Sequence, residues 1–405
     1  MLVKPFSALR PVPELAASLA SVPYDVVDSE EARVLAGDNV NSFLHVARPE
    51  IDLPKGIDIY SDPVYAQGVK NFQGLQDRHV LIRDPDPCFF LYQQVMDGHA
   101  QTGVVCCCSI DDYANNVIRR HEKTRKDKED DRTRHTSELN ANTGPVFLTY
   151  RPTETLDRLM EEAMQSAPIY RFTADDGIRH TVWRVDSSLD AYRAAFAAVP
   201  VAYVADGHHR AASAFRVGTQ RRAANPAHTG DEEYNWFLAV LFPSDQLRIL
   251  PYNRCVQDLN GLTPDDFLAK VREVFSVEPV PYPVPKAARQ VCMYLEGKWY
   301  LLAWPEFVSD PVGALDVSVL QNRLLAPVLG IGDPRTDKRI SFIGGIRGTA
   351  ELEKRVDSGR DAVAFSMYPV TVDQMMAIAD VDAIMPPKST WFEPKLRSGL
   401  LIHTL

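Results

Sequence analysis

A strand-like apolar run that ends in a cluster of charged residues constrains this chain more than any other segment. Residues 201–205 are apolar and short enough for a buried strand, and an alanine-rich helical stretch starts at Ala211. Between them lies the sequence Asp206-Gly207-His208-His209-Arg210. At a strand–turn–helix junction the unpaired N–H groups and the dipole of the helix point outward and attract anions. This segment therefore predicts the edge of an active site that binds an anion.

The side chains of this segment offer both acid–base chemistry and phosphate recognition. Arg210 provides a planar fork that binds phosphate or carboxylate through two hydrogen bonds. His208 and His209 can donate to phosphate oxygens or exchange a proton near neutral pH. Asp206 is a candidate general base or metal ligand. The simpler alternative is a polar loop whose histidines only cap the helix or hydrogen-bond to the core.

Length and the alternation of helical and strand periods predict a mixed α/β (α+β) fold. The 405 residues, 45% of them hydrophobic, are enough for two closely packed lobes with mixed sheets and flanking helices. We place an N-terminal lobe at 1–250 and a C-terminal lobe at 251–405, with one compact unit as the alternative.

Composition argues against several classes of protein. The net charge of −10 disfavours a broad nucleic-acid-binding surface, and no apolar run approaches the roughly 20 residues that cross a bilayer. We therefore expect a cytoplasmic protein without nucleic-acid or membrane partners; its oligomeric state is open. The six cysteines contain no CxxC pair, which disfavours a zinc knuckle. Cys106, Cys107 and Cys108 are expected in a strand, with alternate side chains buried.

Periodicity assigns most of the remaining elements. Asp97-Gly98 predicts a hairpin turn between two strands, and the charged segment 111–140, free of proline and glycine, predicts one long helix or two shorter ones. Thr263-Pro264 predicts a helix start. The other expected strands are 79–83, 89–96, 102–110, 146–150, 169–172, 181–185, 291–295, 299–304, 340–343 and 362–365. The other expected helices are 155–164, 189–198, 316–329 and 350–356.

A second charged constellation lies at 119–132. Its sequence His121-Glu122-Lys123-Thr124-Arg125 has arginine where the zinc-protease pattern HExxH has its second histidine, which excludes that class. One interpretation is a solvated helix with ion pairs along its surface. On a helix, however, His121, Arg125 and Lys128 would share one face, and Arg120, Lys123 and Asp127 another. Such a strip could hold a multiply charged anion.

Three further segments carry polar candidates. Asn142-Thr143-Gly144-Pro145 is a helix stop, in which Asn142 or Thr143 could also touch a substrate. Lys388 follows two prolines, which suits either a fixed phosphate contact or a plain surface loop. Asp25 lies in an otherwise apolar, proline-containing segment, so its carboxylate is expected to be a hydrogen-bond hub or a pocket residue.

Ordered motifs along nearly the whole chain carry a family resemblance. They are Lys4-Pro-Phe, Leu9-Arg-Pro, Pro23-Tyr-Asp-Val-Val27, Asn41-Ser-Phe, Arg48-Pro-Glu50, Arg120-His-Glu-Lys-Thr124, Asn142-Thr-Gly-Pro145, Asp206-Gly-His-His-Arg210, Leu315-Asp-Val-Ser-Val-Leu320 and Met385-Pro-Pro-Lys-Ser-Thr390. The chain resembles a large prokaryotic family long catalogued as a domain of unknown function. Some members of that family have been identified as pyrophosphate-dependent L-serine kinases. The motif at 206–210 is also similar to the phosphate-binding signature of the ParB and sulfiredoxin-like fold, a group that includes nucleotide-dependent free-serine kinases.

The resemblance implies a kinase that makes O-phospho-L-serine from L-serine and pyrophosphate with Mg²⁺. It implies a phosphate site formed by His121, Lys123, His208, His209, Arg210 and Lys388. It gives catalytic roles to Asp206, His208 and Glu122, with Asp206 as the metal ligand, and substrate contacts to Asp25, Asn142 and Thr143. The chain contains neither GxxxxGK[ST] nor GxGxxG, which agrees with a donor that carries no nucleoside.

Other functions stay open at this level. They are an ATP- or ADP-dependent serine kinase, a phosphoserine or pyrophosphate hydrolase, and a ParB-like regulator that binds nucleotide or DNA. One position departs from the family pattern, because Asn253 stands where a histidine is expected before Arg254.

Overall fold

The computed structural model describes residues 1–305 and 310–405. Two units are distinguished: Met1–Leu247 together with Pro394–Leu405, and Arg248–Glu393. The sequence-based boundary at 250/251 lies close to the first crossing from one unit to the other. That prediction keeps 394–405 in the C-terminal lobe, whereas the structure groups this segment with the first unit.

A mixed sheet organises the first unit. Its strands follow the order Ile118–Arg119, Ala202–Asp206, Val146–Tyr150, Trp236–Pro243, His99–Ser109, Phe89–Met96, Arg179–Val185 and Tyr170–Thr173, and Val3–Lys4 pairs with His99–Ser109. Two short pairs join Leu9–Pro11 to Leu81–Arg83 and Ala141–Asn142 to His403–Thr404. The helices of this unit are Ala16–Leu19, Ser29–Ala36, Leu44–Ala47, Asp62–Asp77, Ile110–Ala114, Lys126–Leu139, Glu154–Ala163, Leu189–Ala197 and His208–Ala224. The predicted mixed α/β class is confirmed; the ParB and sulfiredoxin-like core stays a prediction.

The strand His99–Ser109 lies inside the sheet and is buried on both faces. Cys106, Cys107 and Cys108 are all fully buried, so the expected strand is confirmed but the expected alternate burial is wrong. Cys106 and Cys108 belong to the main apolar cluster of the unit, and Cys107 points to the opposite face of the strand. Interior strands of a covered sheet carry continuous apolar runs for this reason.

The hairpin predicted at Asp97-Gly98 is confirmed. Met96 pairs with His99, and the two turn residues have φ of 51° and 78°. Positive φ at both positions is what a two-residue turn needs to match the twist of its strands. Asp and Gly tolerate this conformation better than other residues.

Of the two alternatives predicted for 111–140, the one with two shorter helices is confirmed, but a short strand and a loop separate them. Helices cover Ile110–Ala114 and Lys126–Leu139, and the strand Ile118–Arg119 pairs in parallel with Ala202 and Tyr203. Residues 120–125 form a loop, because the strand pairing and the positive φ of Asn116 interrupt the helical backbone. The predicted shared faces of His121, Arg125 and Lys128 and of Arg120, Lys123 and Asp127 therefore do not exist.

The second unit contains an antiparallel sheet. Its strands follow the order Ser276–Val280, Lys298–Ala303, Gln290–Leu295, Val363–Met367, Tyr252–Val256 and Ile340–Gly344, and Arg248–Leu250 pairs with Trp391–Glu393. Its helices are Pro264–Val274, Asp316–Leu320, Ala350–Asp357 and Val372–Asp380. Asp316–Leu320 widens into a π-helical turn at Gln321–Leu325, so the single helix expected over 316–329 is shorter than predicted.

Asn253 has a structural contact in this second sheet. It is buried, and its Oδ1 accepts a hydrogen bond from the Met367 N–H at 2.9 Å. The amide oxygen at this position therefore supports the pairing of the two strands. Across the helices in both described stretches of the chain, none combines the length and the apolar composition needed to cross a membrane.

His180 is a neutral histidine inside the first unit and makes the stability of the fold depend on pH. Its Nε2 accepts from Arg397 Nε at 3.3 Å, so its Nδ1 carries the proton and donates to the Tyr92 hydroxyl at 2.8 Å. Burial and the neighbouring guanidinium of Arg397 lower the pKa of His180 from 6.5 to about 3. Between these values the unfolded chain binds one proton more than the folded chain at this residue.

We expect the free energy of unfolding to fall as the pH is lowered from 6.5 towards 3, in part because of His180. His180→Gln removes the group that takes up this proton on unfolding. The slope of the unfolding free energy against pH should therefore decrease by up to about 1.4 kcal/mol per pH unit. Urea unfolding at a series of pH values measures the slope. An unchanged slope in the variant would contradict the assignment.

Candidate active site

The segment predicted to be an active-site edge forms a strand end, a tight turn and a helix start. The strand ends at Asp206, Gly207 has φ of 87°, and the helix begins at His208, three residues earlier than the sequence suggested. The register against the neighbouring strand shifts between Val204 and Asp206. Such a bulge changes the direction in which the strand-end side chain points. Gly207 is required here because other residues rarely adopt this backbone conformation.

Asp206 is held in its ionised form by a lysine from the C-terminal segment. Its Oδ2 lies 2.8 Å from Lys395 Nζ, and its Oδ1 accepts a hydrogen bond from the Gly207 N–H at 2.9 Å. Burial works to raise the pKa of Asp206, but the Lys395 ammonium and the Gly207 N–H outweigh it and hold the pKa at about 2. Asp206 is therefore a carboxylate throughout the physiological pH range.

Lys395 was not assigned to the site from the sequence. It lies in the same segment as Lys388, the residue that the sequence singled out. The proline context drew attention to Lys388, whereas nothing local distinguishes Lys395 from an ordinary surface lysine. Its role depends on a contact with a residue 189 positions away in the chain.

Arg210 is fixed by three neighbours that carry no negative charge. Its Nη1 donates to the Pro145 carbonyl at 3.1 Å, its Nη2 donates to Ser398 Oγ at 3.3 Å, and its guanidinium lies 5.6 Å from the Tyr24 ring centroid. In the residues that the structure describes, no carboxylate lies within ion-pair distance of Arg210. The guanidinium is thus oriented by the protein while its charge is available to a ligand.

Gly144 makes room for this guanidinium. A Cβ atom at Gly144 would lie 2.8 Å from Arg210 Cζ and 2.8 Å from Ser398 Oγ. The glycine is therefore needed for the position of Arg210 as well as for the turn. The left-handed residue that ends the preceding helix is Asn140, with φ of 53°.

Two small cavities meet at Arg210. The first is lined by Asn142, Thr143 and Arg210, among others, and the second by Asp25, Asp206 and Arg210. The structure thus brings the predicted substrate residues and three residues of the 206–210 motif, Asp206, Gly207 and Arg210, to the same place. Asp25 itself is exposed and lines the second cavity. Asn142 Oδ1 already accepts from the Leu238 N–H at 3.2 Å, which leaves its N–H groups for a ligand.

The first cavity is also lined by residues that sequence reasoning did not assign to the site, among them Tyr24, Arg132 and His135. The Arg132 guanidinium lies 4.0 Å from the Tyr24 ring centroid and forms a 2.7 Å ion pair with Asp131. The sequence showed Arg132 only as one of many charges on a helix. Its burial follows from the packing of that helix, which a helical pattern of charges does not reveal.

A separate cluster forms where the loop 120–125 meets the helix start. The rings of His121 and His208 lie edge to face with centroids 4.5 Å apart, and both residues are buried. Burial, reinforced by His208, lowers the pKa of His121 to about 3, and burial lowers the pKa of His208 to about 4 despite Asp206. Glu122 completes this cluster, in which one possible metal-ligand atom of each residue lies within 4.8 Å of the others.

The remaining predicted phosphate ligands lie in different settings. Lys123 is exposed in the loop 120–125, and His209 Nε2 accepts a hydrogen bond from the Arg125 N–H at 3.1 Å. Lys388 belongs to the second unit, where its ammonium lies 5.6 Å from the Tyr252 ring centroid. Whether any of these side chains binds phosphate stays a prediction.

Oxygen ligands for Mg²⁺ are present beside Arg210. Asp25 and Asp206 line one cavity, and each carboxylate oxygen can accept more than one contact, so Asp206 retains acceptor capacity despite Lys395. Mg²⁺ is bound through one or two carboxylates and substrate phosphates in many enzymes. The residues present fit this ion.

Residues 3–318 match a family described as "Protein of unknown function (DUF1015)". The chain belongs to this family. The resemblance drawn from the ordered motifs is thereby confirmed. A search of curated proteins gives no match.

Several solved structures are remotely similar to this DUF1015 chain. A free serine kinase variant in complex with AMP shares 13% identity and covers 74% of this chain and 92% of its own, with a TM-score of 0.37. A conserved hypothetical protein from Pyrococcus furiosus shares 12% identity over 74% and 94%, with a TM-score of 0.36. A C-terminally truncated SbnI from Staphylococcus aureus shares 11% identity over 74% and 86%, with a TM-score of 0.38. Likeness at this level does not tell which substrate the chain binds.

Removing the ammonium beside Asp206 should raise the pKa of that carboxyl. In Lys395→Met we expect an increase of about 1–3 pH units, because an adjacent cation lowers a carboxyl pKa by about that amount. Carboxyl-carbon NMR titration measures it, with Asp206→Asn assigning the signal. Lys126→Met is the matched control, because it removes a lysine that pairs with a different carboxylate, Asp130, at 2.6 Å. It should leave the Asp206 signal unmoved. An unmoved Asp206 signal in Lys395→Met would contradict the ion pair.

Proposed function

We propose that this protein transfers a phosphoryl group from inorganic pyrophosphate to the hydroxyl of free L-serine, giving O-phospho-L-serine and phosphate in the cytoplasm. The observation that carries the proposal is the position of Arg210. Its guanidinium is oriented by uncharged neighbours and borders two cavities, one of which also contains the carboxylates of Asp25 and Asp206. A cation beside two carboxylates suits a reaction between a polyanionic donor and an amino acid.

The charges near the motif fit a compact phosphate donor. Pyrophosphate is recognised through charge and hydrogen bonds alone, since it has no base or ribose. Arg210 offers a two-pronged contact to phosphate oxygens, and the Lys395 ammonium pairs with Asp206 at the start of the same turn. Phosphoryl transfer depends mainly on positioning and on neutralising charge, which these two cations support.

Asp206 and Glu122 are the candidates for assisting the serine hydroxyl. Asp206 is ionised at neutral pH, so it can orient a hydroxyl by accepting its hydrogen bond. Because its pKa is about 2, Asp206 is only a weak base. The loose transition state of phosphoryl transfer requires little proton abstraction, and a positioning role is sufficient.

The other substrate contacts follow from the lining of the two cavities. The N–H groups of Asn142 and the hydroxyl of Thr143, in the first cavity, are suited to the serine carboxylate, and Asp25, in the second, is suited to its ammonium. Mg²⁺ bound by Asp206 would neutralise charge on the transferred phosphoryl group. In this assignment the serine and the phosphate donor both contact Arg210.

The donor experiment tests this proposal. Purified protein is incubated with L-serine, Mg²⁺ and pyrophosphate, ATP or ADP, and phosphoserine is measured by mass spectrometry. We expect product with pyrophosphate, and Asp206→Asn should nearly abolish it while the fold stays intact. Product with a nucleotide alone would assign a nucleotide-dependent kinase. Phosphate release from pyrophosphate without serine would indicate a hydrolase, and no phosphoserine with any donor contradicts the kinase.

A matched pair of arginines tests the role of Arg210. Arg210→Ala should lower kcat/KM by about 100- to 1000-fold, the usual effect of removing a donor that stabilises transition-state charge. Arg216 lies on the same helix and forms an ion pair with Asp130. Arg216→Ala should change kcat/KM by less than about fivefold, since a surface ion pair contributes about 1 kcal/mol or less. Equal losses of kcat/KM in the two variants would contradict a role of Arg210 in stabilising the transition state.

A further inference from the structure

A cluster of two buried imidazoles and one half-buried carboxylate lies beside, but outside, the cavities at Arg210. We propose that His121, Glu122 and His208 bind a divalent transition-metal ion of the Zn²⁺ class. The family resemblance assigned these residues to phosphate binding and catalysis, and it assigned Mg²⁺ to Asp206. The proposed site is therefore a second cation site, with different ligand chemistry. It does not depend on the proposed kinase activity.

The three side chains are close enough to share an ion. One ligand atom of each lies within 4.8 Å of the other two. Ligand atoms about 2.1 Å from a tetrahedral Zn²⁺ are about 3.4 Å apart, so binding needs only a small closure of the cluster. Glu122 lies in the loop 120–125, which can make this closure without disturbing the sheet.

His208 supplies an observation that points to a ligand independently of the spacing. It is only 6% exposed, and its Nε2 has no hydrogen-bond partner in the part of the chain that the structure describes. Buried polar atoms are nearly always paired, because losing the hydrogen bonds of water without replacement costs about 1–3 kcal/mol. A bound metal ion would accept the lone pair of this nitrogen.

His121 is held in the form that a metal requires. Its ring donates a hydrogen bond to the backbone carbonyl of Val204, in the strand that precedes the turn. One ring nitrogen therefore carries the proton and the other carries a lone pair. Metal-binding histidines commonly use such a carbonyl contact to fix the tautomer and the ring orientation.

The donor set selects the type of ion. Two nitrogens and one carboxylate suit Zn²⁺ or Co²⁺, whereas Mg²⁺ prefers oxygen ligands and retains several waters. Three protein ligands leave a fourth position for water or for an oxygen of a phosphate. Asp206 lines the second cavity and precedes His208 by only two positions, so an ion at His208 would bring positive charge close to a phosphate bound in that cavity.

Metal binding is tested without substrates, on protein freed of any polyhistidine tag and stripped with a chelator. Isothermal calorimetry measures binding of Zn²⁺ and of Mg²⁺, and Co²⁺ gives a visible absorption band that reports nitrogen ligation. We expect one equivalent of Zn²⁺ to bind, and His208→Ala and Glu122→Gln each to weaken binding by about 100-fold or more. Mg²⁺ should not compete.

His209→Ala is the matched control, because this histidine belongs to the same turn but not to the cluster. It should bind Zn²⁺ like the parent chain. Circular dichroism and thermal unfolding of each metal-free variant establish that the fold is retained. No Zn²⁺ binding by the parent, equal binding by His208→Ala, or equal affinity for Mg²⁺ would each overturn the proposal, and none of these results bears on whether phosphoserine is formed.

Discussion

The ion pair between Asp206 and Lys395 joins the end of an interior strand to the C-terminal segment of the chain. The same segment supplies Ser398, which accepts a hydrogen bond from Arg210. These contacts place the strand end, the first turn of the helix and the segment Pro394–Leu405 around common cavities. Because both charges are partly withdrawn from water, their attraction is stronger than at an open surface, and losing one partner would leave the other poorly compensated.

One turn of helix serves two chemically different sites. His208 and Arg210 are two residues apart, which separates them by about 200° around the helix axis. His208 can therefore contact the loop 120–125 while Arg210 contacts Pro145 and Ser398. This division explains why the 206–210 motif combines imidazoles with a guanidinium. The His208 imidazole is buried with its pKa lowered to about 4, whereas the Arg210 guanidinium borders the cavities.

The periodic parts of the fold could be predicted from the sequence. The strands Phe89–Met96 and Val146–Tyr150 match their expected bounds because their patterns reflect local burial in a sheet. Within 111–140, the helical faces expected for His121 and Arg120 were wrong, because the charges and the lack of breakers there favour a helix locally. Pairing of Ile118–Arg119 with a strand some 80 residues later overrides that preference. Helix propensity depends on neighbouring residues, whereas this strand pairing depends on residues that are distant in the sequence.

The same distinction applies to the candidate site. The motif 206–210 was identified because strand, glycine turn and helix start are adjacent in the sequence, and the local physics of that junction attracts anions. Lys395, Ser398 and Arg132 were missed because their roles arise from contacts across long separations in sequence. The amino-acid sequence thus determined the residue types of the site and the turn that exposes them. Only the tertiary structure decided which charges are neutralised, which guanidinium is available to a ligand, and which imidazoles are in contact. The reason is that distance and burial set the strength of each electrostatic interaction.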